Sequence, residues 1–169
     1  QLVENLQSQQ KELRQSSASL LGKIGTNSPG VFEALIPLVN DKEEMVWRSA
    51  VVAISKFESR DKDVFPILKK QLDKTDAYSC ILVLEILGTM GMRAKPVVPT
   101  IGKYLESDDD EIRESAFEAL CKIGDLSIVL ELEQMIKKED DPEFADYLTE
   151  MLKEMKGEDS PKEKENTDE

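Results

Sequence analysis

Leu13-Arg14-Gln15-Ser16-Ser17-Ala18-Ser19-Leu20-Leu21-Gly22-Lys23-Ile24-Gly25 and Ile112-Arg113-Glu114-Ser115-Ala116-Phe117-Glu118-Ala119-Leu120-Cys121-Lys122-Ile123-Gly124 read in the same register. A match of this length within one chain marks internal repetition, and the period decides the architecture before any single element is placed. Two further copies lie between them, Val46-Trp47-Arg48-Ser49-Ala50 through Glu58 and Ser79-Cys80-Ile81-Leu82-Val83 through Gly91. The end markers Gly25, Glu58, Gly91 and Gly124 are each 33 residues apart.

Each copy runs into a second apolar stripe at i, i+4, i+8: Val31, Leu35, Val39; Val64, Leu68, Leu72; Val97, Ile101, Leu105. That spacing places three apolar side chains on one face of a helix. In the fourth copy the stripe is Ile128, Leu132, Ile136, two residues early, so a shorter interhelix loop is expected there. The first segments are helical by the same test, with Ile112, Ala116, Ala119, Leu120 and Ile123 on one side. Gly25, Gly91 and Gly124 stand where a left-handed cap ends that helix. Pro66 and Pro99 are expected near the start of second helices, where a missing amide hydrogen costs little. Pro37 sits inside its pattern and predicts a kink or a late helix start. Asp41, Asp76 and Asp109 fall in the joints, within reach of N-cap positions. No alternating apolar-polar run competes with the helices, so strands are not expected.

The predicted organisation is one solenoid over residues 1–156, divided into a partial unit 1–9, units 10–43, 44–76, 77–109 and 110–141, and a capping helix 142–156. Leu2 and Leu6 precede Leu35 and Val39 by 33 residues, so the chain is expected to open inside a second helix, with something before Gln1. Asp141-Pro142 followed by Phe144, Leu148, Met151, Leu152 and Met155 reads as an amphipathic terminal helix. Residues 157–169 hold no apolar side chain and read as a disordered acidic tail.

Composition narrows the chemistry. The 169 residues carry 35 Asp+Glu against 22 Lys+Arg, a formal net charge of -13, and no histidine. Without histidine, the commonest general base and the commonest ligand for zinc, iron and copper are missing. Cys80 and Cys121 form neither a CxxC pair nor a disulfide framework and read as buried, reduced thiols. The acidic balance disfavours nucleic acid, and no stretch approaches the length of about 20 apolar residues that spans a bilayer. Asp108-Asp109-Asp110 lacks the glycine and closing glutamate of a calcium loop. No metal and no cofactor are expected.

Asp110-Glu111-Ile112-Arg113 through Gly124 resembles the HEAT-type repeat in its short phycobilin-lyase variety, whose pattern is roughly acidic-x-apolar-Arg-x-x-Ala-x-x-Ala-Leu-Gly-x-Ile-Gly. The resemblance implies an all-α, right-handed α-α superhelix of about four to five helix pairs, with second helices on the concave side. It also implies that Arg14 and Arg113 tie neighbouring units through an Asp in the preceding turn. Asp108, Asp109 and Asp110 are available to Arg113, whereas Arg14 would need a partner upstream of itself. Trp47 and Cys80 replace that arginine in the middle copies, where Arg48 is a candidate substitute. Deoxyhypusine hydroxylase is similar in its repeats but holds iron through His-Glu pairs, which this chain cannot supply. HEAT-like DNA glycosylases use a basic face, whereas residues 1–139 hold 18 Lys+Arg against 23 Asp+Glu.

With the apolar stripes facing inward, the second helices leave Glu33, Ile36 and Pro37; Lys69, Lys70 and Asp73; Gly102, Lys103 and Glu106; and Glu133, Gln134 and Lys137 outward. Lys70, Lys103 and Lys137 would form a basic ridge for an acidic peptide or helix, or simply a solvated face. Trp47 reads as a packed residue or, at the arginine position, as a surface anchor. Met90, Met92, Met151 and Met155 read as core. The expected function is a noncatalytic scaffold or adaptor that presents its concave surface to a protein or peptide, and the chain is expected to be a monomer. The alternative is a phycobilin-lyase-like enzyme or subunit that binds a tetrapyrrole. The compartment stays open between a cytoplasmic location and an envelope-tethered fragment.

Overall fold

The computed structural model describes residues 1–24, 28–73 and 76–158. The cap expected at Gly25 and the tail from residue 159 lie outside these. The described residues form helices joined by short turns, with no strand among them, and divide into two compact units, Gln1–Ile86 and Leu87 onward.

The first unit contains α1 (Leu2–Asn5), α2 (Lys11–Ile24), α3 (Val31–Leu35), α4 (Glu44–Ile54) and α5 (Asp61–Leu72), together with most of α6 (Ala77–Thr89). The apolar stripes of α3 and α5 are buried throughout, from Val31, Leu35 and Val39 to Val64, Leu68 and Leu72. Burying each such side chain is worth roughly 1.5–3 kcal/mol. Pro37 has the predicted effect: α3 stops at Leu35 and the chain tightens into a 3₁₀ segment, Ile36–Asn40, because proline has no amide hydrogen to continue the α pattern. Pro66 departs from expectation. Helix α5 begins at Asp61, five residues before it, so Pro66 lies inside the helix.

Helices α2 and α4 lie side by side, and their closeness rests on one glycine. A Cβ on Gly22 would stand 2.7 Å from the Cα of Ala53, closer than nonbonded atoms can approach. The second unit repeats the device: a Cβ on Gly88 would come within 3.0 Å of the Cα of Ala119. Both glycine-alanine pairs are separated by the same 31 positions and stand two repeat periods apart. The equivalents of Val46, Ala53 and Phe57 one period earlier, Leu13, Leu20 and Ile24, are exposed, whereas those three are buried.

The second unit holds a 3₁₀ segment (Gly91–Val97), α7 (Val98–Ile101), a further 3₁₀ segment (Gly102–Glu106), α8 (Asp110–Ile123), α9 (Val129–Lys138) and α10 (Pro142–Lys156). The second member of the third pair is thus a broken helix, a consequence of Pro96 and Pro99 in one short stretch. Asp109 caps α8 by accepting from the amides of Glu111 and Ile112 at 3.0 and 3.2 Å, and Gly124 closes it at φ 76°. Asp141 caps α10 in the same way, with Pro142 in its first turn. Leu148 and Leu152 turn α10 inward. Met90 is core, but Met92 is 56% exposed and does not belong to it.

Candidate functional site

One position of the repeat carries three different solutions to the same problem. In the first copy, Arg14 donates from Nε and Nη2 to both carboxylate oxygens of Asp41, at 2.8 and 2.9 Å, and from Nη1 to the Ser8 carbonyl at 2.8 Å. Each side chain of the pair is only 12% exposed. The Arg14 fork, reinforced by the Glu43 amide, holds the Asp41 carboxyl below its ordinary range against the opposing effect of burial. The partner therefore lies downstream, in the turn before α4, and not upstream as the resemblance implied. Asp41 stands two residues before the N-cap Glu43 and accepts its amide at 3.0 Å.

One period on, Trp47 is buried, and its Nε1 donates to Oε1 of Gln71 at 2.9 Å inside the first unit. Gln71 is itself 1% exposed. A neutral hydrogen bond thus takes the place of the ion pair. This corrects the reading of Trp47 as a surface anchor: no part of the indole is offered to a partner. Arg48 does not substitute for the missing arginine, since its Nη1 donates to the Tyr78 hydroxyl at 2.7 Å. Cys80, at the next copy of the position, is buried.

In the last copy, Arg113 repeats the backbone half of the Arg14 arrangement, with Nη1 donating to the Ser107 carbonyl at 2.7 Å. Its Nη2 goes to Asp110, one turn earlier on the same helix. Asp109, expected to share in the tie, serves only as the cap of α8. The place of Asp41 is taken by Glu139, likewise two residues before an N-cap, and its Oε1 accepts the Asp141 amide at 3.1 Å. No described carboxylate other than Asp110 lies within 4 Å of the Arg113 guanidinium.

Arg113 instead lines an open cleft of about 530 Å³ within the second unit. Gly102, Leu105, Glu106 and Ser107 form one wall, and Glu131, Gln134, Met135 and Lys138 of α9, with Glu139 and Asp140, form the other. The α9 residues follow i, i+3, i+4, i+7 spacing, one face of a helix whose opposite face buries Leu132. A second open space of about 300 Å³ is lined by Arg113, Glu139, Asp141 and Phe144, so Arg113 and Glu139 border both.

The residues predicted to face a partner are dispersed. Glu33 is bonded to Arg60 at 2.8 Å, which lowers its carboxyl pKa, and Arg60 in turn covers the Phe32 ring at 4.4 Å. Ile36 and Lys69 are half-buried, while Lys70 and Lys103 are exposed. Glu106 lines the cleft. Glu133 and Lys137 point away from it, into a smaller cavity of about 220 Å³ against α10, where Glu133 meets Lys156 at 3.8 Å. The face of α9 that lines the cleft is therefore Glu131, Gln134, Met135 and Lys138, and of the α9 residues expected to face outward only Gln134 belongs to it. Cys121 is half-buried, and burial with nearby carboxylates pushes its thiol up to about 12, so it stays protonated at neutral pH.

Residues 1–80 match the family model of HEAT repeats. Over those residues, just under half of the 169, the chain is similar to HEAT repeats. No curated protein matches it significantly. Among solved structures, the complex of CpcE and CpcF of phycocyanin lyase from Nostoc sp. PCC7120 is similar at a TM-score of 0.61 and 21% identity, over 90% of this chain and 64% of that one. The chain thus spans less than two thirds of that protein's length. An engineered protein is similar at 0.54 and 18% identity, over 91% of this chain and 77% of that one. A computationally designed armadillo repeat protein for modular peptide recognition is similar at 0.51 and 17% identity, over 91% and 80% of the two chains. These are likenesses of fold. No helix of the described residues is long and apolar enough to cross a membrane.

Proposed function

We propose that this chain is a noncatalytic scaffold that takes a segment of a protein partner into the cleft between Gly102–Glu106 and α9. The observation that carries this reading is the cleft itself: two successive second-position helical segments leave about 530 Å³ between them, lined by charged and polar side chains together with Leu105 and Met135. An open cleft along a helix face, with charged groups of both signs, suits an extended or helical peptide. The absence of histidine from the whole sequence removes the most frequent acid-base catalyst.

The test is capture of partners by the parent chain, a Gln134→Trp variant that fills the cleft, and a Lys69→Glu/Lys70→Glu/Lys103→Glu/Lys137→Glu variant. A partner lost with Gln134→Trp and kept by the lysine variant supports the cleft. The opposite pattern assigns the partner to the lysines. Tetrapyrrole binding is the competing reading, and a bilin absorbance band that shifts on mixing with the parent chain would move it to first place.

A further inference from the structure

We propose that the Arg113 cleft seats a single carboxylate of the partner segment and that the residues flanking this carboxylate are basic. The proposal rests on the peptide-binding reading above and specifies its ligand. The chain supplies its own template. At Arg14 a carboxylate accepts from Nε and Nη2 while Nη1 holds a backbone carbonyl six residues earlier. At Arg113 the carbonyl bond is already made to Ser107, again six residues earlier, but Nη2 reaches only Asp110, whose side chain is 88% exposed. Nε has no hydrogen-bond partner among the described residues. On the edge of the guanidinium that Asp41 occupies in the first copy, Nε is therefore the open position here, and a planar carboxylate that accepts from Nε and replaces the exposed Asp110 at Nη2 would complete the fork through two parallel bonds.

The rim determines what surrounds that carboxylate. Glu106, Glu131 and Asp140 line the cleft and form no ion pair among the described residues, while Lys138 is the second cation present. A run of acidic residues would meet these carboxylates at close range and be repelled, whereas basic neighbours on either side of one acid would be attracted to them. The expected ligand is a mixed-charge segment, one Asp or Glu between Lys or Arg residues, and not the acidic peptide that a row of lysines predicted.

The experiment uses the full chain and end-blocked fluorescent peptides, so that side chains supply the only carboxylates: one Asp between Gly-Lys flanks, the same peptide with Asn for Asp, and an all-Asp peptide. Anisotropy gives affinity, and the backbone amide shifts of Gly102 and Gln134 report whether the cleft is occupied. The mixed peptide should bind and shift these amides, with about tenfold weaker binding for the Asn peptide and for the Arg113→Lys variant, which keeps the charge but loses the fork. Circular dichroism on that variant checks that α8 persists, and Arg113→Gln provides a second substitution. Equal binding of the Asp and Asn peptides, equal binding by Arg113→Lys, or stronger binding of the all-Asp peptide would overturn the carboxylate seat while leaving peptide binding in the cleft intact. Cleft amides that no peptide shifts would overturn the peptide-binding reading as well.

Discussion

Arg14 and Arg113 occupy the same place in the repeat, 99 residues apart, and both hold the carbonyl six residues earlier. They differ in what fills the rest of the fork. Around Arg14 the turn before the next helix contributes Asp41, short enough to lie flat against the guanidinium. Around Arg113 the corresponding residue is Glu139, which accepts the Asp141 amide without pairing with the guanidinium, and exposed Asp110 takes Nη2 while Nε stays open. The comparison shows how a repeat protein can place a binding group at little structural cost: a residue that ties one pair of helices becomes a surface feature when its internal partner is displaced. Trp47, between them, shows the third outcome, in which the tie is made without charge.

The largest effect is expected at that third site. Trp47→Ala should cost about 3–5 kcal/mol, since it opens a core cavity and strands buried Gln71, and urea denaturation would measure it. Gly22→Val and Gly88→Val should each cost roughly 1–3 kcal/mol by forcing Gly22 away from Ala53 and Gly88 away from Ala119, with Gly22 the worse because its neighbour is closer. If Gly22→Val were neutral, the tight packing of the first copies would be wrong. Asp41→Asn should lower the melting temperature by about 2–4 °C, whereas Arg113→Gln should change stability by less than about 0.5 kcal/mol. A loss at Arg113 as large as that at Asp41 would mean that both forks are closed.

The smallest effect is in the pH dependence. The folded pKa of Asp41 is depressed, so its contribution is fully present above the ordinary aspartate value of 3.8 and is lost as pH falls through the depressed one. Glu33, Glu118 and Asp125 act with the same sign. Stability should therefore fall below about pH 4, and Asp41→Asn should flatten part of that acid limb in chemical denaturation at stepped pH.

Much of the fold was legible because repetition multiplies weak signals. The stripes from Val31 to Leu105, the caps at Asp109 and Asp141 and the left-handed Gly124 each follow from spacing or residue type, and four copies confirm one another. Pro66 was misplaced because a proline signals a helix start only on average. The site was less legible for a related reason: period alone does not fix the rotation of a helix about its axis, and in α9 it is Glu131, Gln134, Met135 and Lys138 that line the cleft while Glu133 and Lys137 line the smaller cavity against α10. Trp47 could not be assigned from sequence because its partner Gln71 lies on a different helix, 24 residues away. The signal that could have led to the cleft is the residue two before each first helix, where Asp41, Ser107 and Glu139 all accept the N-cap amide but differ in reach.

The most direct measurement is the solvent exchange of the two arginine Nε protons by nuclear magnetic resonance. Arg14 Nε–H should be protected by Asp41 and exchange slowly, while Arg113 Nε–H exchanges freely until the mixed-charge peptide is added and is then protected. Equal protection of both protons in the free chain would contradict the account, since it would mean that Glu139 or another carboxylate already closes the Arg113 fork.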